Sequence, residues 1–501
     1  MPKARLVPGL VLLAWASLLA AWVVTNPPFA APDESEHYVR AIGLSEGHLI
    51  GKSDPNAGIG LGARQVAWAD QAARLVSLPA GLDPRPFACE TGKGSVSAAC
   101  VKTARPNPSP VSLATAVGNY QPLPYLLPAA VMRAAGSPAG VLRLGRAAGA
   151  LAAFLLLAVA LLALYEDSGS VLSILGLLLA VTPMVLFCAA ILNGSGLEIA
   201  GGVAFFSCLL RLSRQGRPAR RWWVAAAVSG AALALSRSAS PLWLAAALCI
   251  VIAWSGPRAF ISRWIHERAA WLTVGAVAVA VGLNRVWESL YGSRVISDVA
   301  SLHQGLVAGA HEWWRALPEL VGKFGYIDVD LPLVLPILWF ALAFGMIVAA
   351  WRARGLQRVV LIVAVVGDLT APVAFYAVWT RPTGYGIQGR QLLPLLVMLP
   401  LLAGETCYRN RERMSRPLMR FLLFAVPIGV AVVHVGAWYV NAKRFAVGST
   451  GSAWFLSGAS WSPPGGWVLW TVTVCLAGAS LLSLALVGRE RREPLPPAPT
   501  G

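Results

Sequence analysis

Apolar stretches long enough to cross a lipid bilayer recur along this chain from residue 6 to residue 488, and no other feature narrows its fold as far. A hydrocarbon core of about 30 Å takes around 20 apolar residues per helical span. Twelve runs are read as spans, at residues 6–25, 141–164, 171–191, 194–212, 222–236, 239–255, 269–288, 332–351, 358–379, 389–405, 418–440 and 466–488. Composition agrees, since 57% of the residues are hydrophobic and 13% charged, where soluble domains carry roughly a quarter charged. The expected fold is an all-α polytopic membrane protein with about 12 transmembrane helices.

Basic residues near short loops are retained on the cytoplasmic side. Lys3 and Arg5 precede the first span, and "RLSRQGRPARR", "GPRAFISRWIHER", "WRARGLQR" and "YRNRERMSRPLMR" then fall on one side, which gives an N-in, C-in topology. "YEDSGS", residues 165–170, departs from this pattern, with two acids and no base on the inner side. The net charge of +18 sits mostly in those inner loops. There it anchors topology and meets anionic headgroups, so no nucleic-acid partner is expected. The first span has the basic start of a signal peptide, but its apolar region is long and "PPFAAP" is a poor cleavage site, so it is read as an uncleaved anchor.

This topology divides the chain into a first span (1–25), a long extracytoplasmic loop (26–140), spans two to seven (141–288), a second outer loop (289–331), spans eight to twelve (332–488) and a disordered cytoplasmic tail (489–501). Long loops in a compact protein are usually functional. In the first, Cys89 and Cys100 flank a Gly- and Ser-containing turn and are expected to form a disulfide, as an oxidising compartment permits. "DESEHYVRAIGLSEG" reads as a short helix along the membrane surface, and the proline-broken segment 119–136 as a second interfacial helix.

Polar groups gather at the same outer level. Asp33 and Glu34 begin the surface helix, where free N–H groups favour carboxylates, and His37 follows Asp33 by one turn on the same face. Asp328 and Asp330 precede the eighth span, Arg381, Gln388 and Arg390 lie between the ninth and tenth, and Arg237 lies between the fifth and sixth. Each alone has a plain reading, as a helix-start acid or an arginine snorkelling to lipid phosphate. Together they put carboxylates, which serve as general bases, beside guanidinium forks suited to phosphate. No Gly-rich phosphate loop is present, which argues against an ATP-driven machine.

The segments "PDESEHYVRA", "NYQPLPYLL", "FGYIDVDLP" and "GIQGRQLLPLL" resemble the signature segments of a bacterial, actinobacterial-type family of polytopic membrane proteins of unknown function, itself similar to the glycosyltransferase C (GT-C) superfamily. The resemblance runs from residue 6 to about residue 440. It implies a glycosyltransferase of the bacterial cytoplasmic membrane that moves a sugar from a polyprenyl-phosphate donor to a cell-envelope acceptor on the extracytoplasmic face. Carried onto this chain, Asp33 becomes the general base and Glu34 its partner, with Arg390, Arg237 and Arg381 at the donor phosphate and His37, Asp328, Asp330 and Gln388 in support. The chain departs from the pattern after the third span, where "NGSGLE" keeps Asn193 but has Ser195 at the acidic position, with Glu198 one turn further on. Whether a divalent cation takes part is left open. Two rival readings remain: a transporter or flippase built around Asp368 in the middle of the ninth span, and a non-catalytic scaffold with the same fold.

Overall fold

The computed structural model describes residues 6–54, 71–166, 170–214, 218–293, 302–381 and 386–489. Where the sequence is continuously apolar, the chain is helical. α1 (Leu6–Thr25) is followed by the short α2 (Glu34–Ser45) and α3 (Leu123–Met132), then by α4 (Pro138–Leu164), α5 (Val171–Ala180), α6 (Pro183–Ala190), α7 (Ser195–Leu212), α8 (Arg220–Ala234) and α9 (Ser240–Ser255). The second half holds α10 (Pro257–Ile265), α11 (Arg268–Tyr291), α12 (Leu302–Ala316), α13 (Val334–Ala350), α14 (Leu356–Phe375), α15 (Gly389–Leu396), α16 (Met398–Arg409), α17 (Arg416–Val447) and α18 (Gly466–Arg489).

A helix or helix pair stands at every position expected to span, and the protein is a multi-pass helical membrane protein. The number of crossings is less simple. Among the described residues eight stretches are long and apolar enough to cross, with α15 and α16 taken as one, and a ninth if α5 and α6, which meet at 63°, form a single bent span. α8, α9 and α13, with 15, 16 and 17 residues, are shorter than these stretches. The bend between α5 and α6 has a local cause. Pro183 offers no N–H to continue the helix, and the Thr182 hydroxyl accepts from the Val185 N–H at 3.2 Å and donates to the Leu320 carbonyl at 2.8 Å. The expected C-terminal tail lies outside the described residues beyond Arg489.

α7 runs through the centre with nearly all of its side chains buried, packed between α4 and α8. α5 and α16 meet backbone to backbone, and a Cβ on Gly176 would stand 2.9 Å from the Gly404 Cα. Small residues allow this approach where lipid supplies no hydrophobic drive between helices. The loop that broke the charge pattern is also accounted for, because Glu166 is ion-paired to Arg211 at 2.6 Å and to Arg214 at 3.2 Å.

Between α1 and α4 the chain builds a small cap. β1 (Lys52–Ser53), β2 (Arg74–Leu78) and β3 (Val111–Thr115) form an antiparallel sheet with Arg74 opposite Thr115 and Leu78 opposite Val111. α2 packs across this sheet, and α3 packs against α2 and α4. Cys89 and Cys100 form a disulfide. The bridged loop docks on the end of α17, where Arg444 pairs with Glu90 at 2.8 Å and with Asp328 at 2.7 Å. Asp328 lies in the turn of a hairpin of β4 (Lys323–Phe324) and β5 (Val329–Asp330).

Candidate functional site

The turn that joins α1 to α2 is strained and tightly held. Phe29 and Asp33 both have left-handed backbones, with φ of 63° and 57°, a conformation that costs an L-residue roughly 1–2 kcal/mol. Residues held this way persist only where their surroundings over-determine them, and here the surroundings are Glu34 and Arg146. Glu34 is fully buried and accepts from Arg146 through Nε at 2.7 Å and a terminal nitrogen at 2.5 Å, and from the Leu192 N–H at 3.0 Å. Arg146 also donates to the carbonyls of Val23, Asn26 and Pro27. Glu34, expected beside Asp33 in the chemistry, points into the protein and ties the turn to α4 and the α6–α7 connection.

Asp33 takes the opposite direction. It stands at the start of α2, yet its side chain makes no capping hydrogen bond. Its Oδ2 instead accepts from Arg390 at 2.9 Å, and the carboxylate is about half exposed to a cavity of about 320 Å³. The expectation of an Asp33 cap is therefore corrected: the left-handed backbone turns the carboxylate away from the helix N–H groups.

Arg390 is placed by its own sequence. In "QGRQ" the side chains of Gln388 and Gln391 form a reciprocal capping box at the start of α15, and Arg390 donates through Nε to Gln388 Oε1 at 2.7 Å. Gly389 fits because a Cβ there would lie 2.8 Å from Glu319 Cβ, and its N–H donates to Glu319 Oε2 at 2.9 Å. The arginine is thus carried on a helix start locked against the segment before β4.

The far wall carries a second guanidinium. Arg237, between α8 and α9, donates to the Ser195 hydroxyl at 2.9 Å and lies over the Tyr120 ring, 5.4 Å from its centroid. Among the described residues no carboxylate lies within ion-pair distance of it. Deeper in, Glu198 accepts from the Ser240 hydroxyl at 2.9 Å and from Trp243 Nε1 at 3.1 Å. His37 lines the cavity with its Nδ1 2.7 Å from the Tyr125 hydroxyl, and burial pushes the imidazole down to about 3, so it is neutral. Burial raises the Glu36 carboxyl, which accepts from the Ala116 N–H at 2.7 Å.

Of the residues singled out from sequence, Asp33, His37, Ser195, Glu198, Arg237, Gln388 and Arg390 meet in this cavity, and Glu34, Arg381, Asp328 and Asp330 do not. Asp328 serves Arg444, Asp330 pairs with Lys323 at 3.1 Å, and Arg381 lies against Gly305 at the end of the α14 extension. Glu36, in the same stretch as Asp33 and His37, also lines the cavity, as do Asn119, Gln121 and Glu288, which were not singled out. Glu288, an acid at the outer end of a span, was visible as such. Trp379 is a cavity wall, stacked on Phe375 with centroids 6.0 Å apart. A short π-helical turn over Tyr376–Thr380 places it there, as such turns often do at functional sites. Asp368 lies outside the cavity lining, and its side chain forms no hydrogen bond or ion pair among the described residues. No group of three or more His, Cys, Asp or Glu side chains placed to hold a metal occurs among the described residues.

The family described as "predicted membrane protein (DUF2142)" matches residues 17–399. No curated protein matches the sequence significantly. Among solved structures, ArnT from Cupriavidus metallidurans bound to undecaprenyl phosphate aligns over 96% of this chain and 77% of its own, at 13% identity and a TM-score of 0.41. Arabinofuranosyltransferase AftD from Mycobacteria aligns over 64% of this chain at 19% identity and a TM-score of 0.35, and the chain spans 23% of that enzyme's length. Likenesses this distant support no statement about substrate.

Proposed function

Since the chain belongs to the DUF2142 family of predicted membrane proteins, we propose from its cavity that it is a membrane glycosyltransferase of GT-C type, using a polyprenyl-phosphate sugar as donor and an extracytoplasmic envelope glycan or lipid as acceptor. The observation that carries this reading is the meeting of one half-exposed carboxylate, Asp33, with two guanidinium groups, Arg390 and Arg237, in a single cavity at the ends of membrane-crossing helices. A carrier whose tail stays in the bilayer presents its phosphate at that level.

In the reaction Asp33 takes the proton of an acceptor hydroxyl, and the acceptor oxygen forms its bond to the anomeric carbon. The bond from that carbon to the phosphate oxygen breaks, and its electron pair leaves with the polyprenyl phosphate. Arg237 and Arg390 hold the charge that develops there, which is where preorganised cations lower a barrier most. The disulfide of the first loop supports an outward-facing site in an oxidising compartment. The test is a comparison of envelope glycans and polyprenyl-phosphate sugars between wild-type and deletion strains. The expected result is loss of one glycan with accumulation of its lipid-linked donor; an unchanged envelope and carrier pool would overturn the reading.

A further inference from the structure

In this cavity the base and the donor phosphate need the same guanidinium. Arg390 is largely buried, and its NH2 group is engaged by Asp33 at 2.9 Å. Arg237 faces the cavity with only the Ser195 hydroxyl as a side-chain hydrogen-bond partner among the described residues. An arriving phosphate therefore meets one guanidinium that no carboxylate touches among the described residues and one that is already paired. The contact occupies Oδ2 of the Asp33 carboxylate and holds the side chain against Arg390.

Resting on the transferase reading, we propose that the Asp33–Arg390 ion pair is a latch that the carrier phosphate opens. The phosphate docks on Arg237, takes Arg390 from Asp33, and so frees the carboxylate to receive the acceptor proton. Donor therefore binds before acceptor, and without donor the carboxylate stays tied and does not activate water.

Three features say which partner moves. Arg390 is fixed by Gln388 and by the close seat of Gly389 on Glu319, so the arginine stays. A phosphate carries more charge than a carboxylate and fits the planar fork at least as well. Asp33 has somewhere to go, because its side chain is about half exposed to the cavity and can turn there while the backbone stays held by Glu34 and Arg146.

The test measures binding of sugar-free undecaprenyl phosphate to the full-length protein in neutral-lipid nanodiscs. Asp33→Asn removes the competitor and is expected to tighten binding about fivefold, as a half-exposed ion pair is worth. In an Arg390→Ala background the same change is expected to have no effect, and Arg237→Ala to weaken binding in every background. Asp33→Gly, which suits a left-handed backbone, serves as a second neutral variant, and thermal midpoints check that each variant is folded. Unchanged affinity in Asp33→Asn with weakening in Arg237→Ala overturns the latch and leaves the transferase reading standing. Tightening that persists without Arg390 also overturns the latch, since it is then only the loss of a nearby negative charge. No binding by wild type or any variant overturns both.

Discussion

Asp33 and Arg390 are 357 positions apart in the chain and 2.9 Å apart in the structure. The contact joins the two segments that stand out most in the sequence, "PDESEH" and "QGRQ", and each supplies a rigid half. On one side the buried Glu34–Arg146 pair fixes the turn so that its next-door neighbour Asp33 faces outward. On the other a capping box and a glycine contact fix Arg390. A carboxylate and a guanidinium held from both sides, with cavity space beside them, are poised for exchange with a ligand rather than for holding the fold together.

Asp33→Asn is therefore expected to remove function with little effect on folding. Asparagine tolerates a left-handed backbone, and no cap is lost because none is made. Loss of a general base typically costs about 10²–10⁴-fold in rate. The measurement is complementation of a deletion strain together with thermal stability of the purified protein. Full complementation would remove Asp33 as the base.

Gly389→Ala tests how Arg390 is positioned. A Cβ at this site meets Glu319 and Leu320 at 2.8 to 3.0 Å, and most of those atoms are backbone or close to it, so they have little room to yield. Overpacking of this kind costs about 1–3 kcal/mol. The expected result is a lowered thermal midpoint and weakened binding of polyprenyl phosphate, although the charge of Arg390 is untouched. A variant with wild-type values for both would show that α15 can shift without consequence.

Sequence made the helical membrane fold legible because span length is set by the bilayer, which acts on every residue of a run alike. The bend between α5 and α6 was less visible, since Pro183 marks the break locally but Thr182 is held there by the Leu320 carbonyl, 138 positions away in the chain. Within the site, Asp33, His37, Gln388 and Arg390 could be read from local pattern. Glu34 could not be separated from Asp33 that way, because their opposite directions follow from a left-handed φ at one residue and an arginine 112 positions from Glu34. Asp328 and Asp330 sit at the right depth along the chain, but Arg444 and Lys323 claim them laterally. Spacing gives depth and helical face; it does not give the neighbour across a gap.

Glu34→Gln is expected to differ from Asp33→Asn in kind, although the residues are adjacent. It leaves Arg146 charged and without its carboxylate in a site where neither side chain reaches solvent. Breaking a buried pair from one side costs about 3–5 kcal/mol. The expected outcome is a protein that is poorly folded or has a sharply lowered thermal midpoint, with activity lost in parallel with the fold. A stable but inactive Glu34→Gln protein would return Glu34 to the chemistry.

His37 gives the structure an acid limb of known sign. Its imidazole is buried, and burial, acting against the nearby Asp33 charge, lowers it from 6.5 in the unfolded chain to about 3 in the folded protein. Between those values the unfolded chain takes up a proton that the folded protein refuses, so unfolding is favoured as pH falls. The contribution is fully present above pH 6.5 and is lost as pH drops toward 3, at no more than about 1.4 kcal/mol for each pH unit. Glu36 acts with the opposite sign, because burial raises its carboxyl and its contribution fades as pH rises above 4.5. The wild-type curve alone therefore mixes the two, and the informative quantity is the difference between wild type and His37→Gln, which keeps a hydrogen-bonding group beside Tyr125 but does not titrate. Thermal midpoints measured from pH 4 to pH 8 are expected to fall less steeply on the acid side for His37→Gln and to run parallel to wild type above pH 6.5. Parallel curves over the whole range would mean that His37 takes a proton as readily when folded as when unfolded, and that the cavity beside Asp33 is wet enough to solvate an imidazolium.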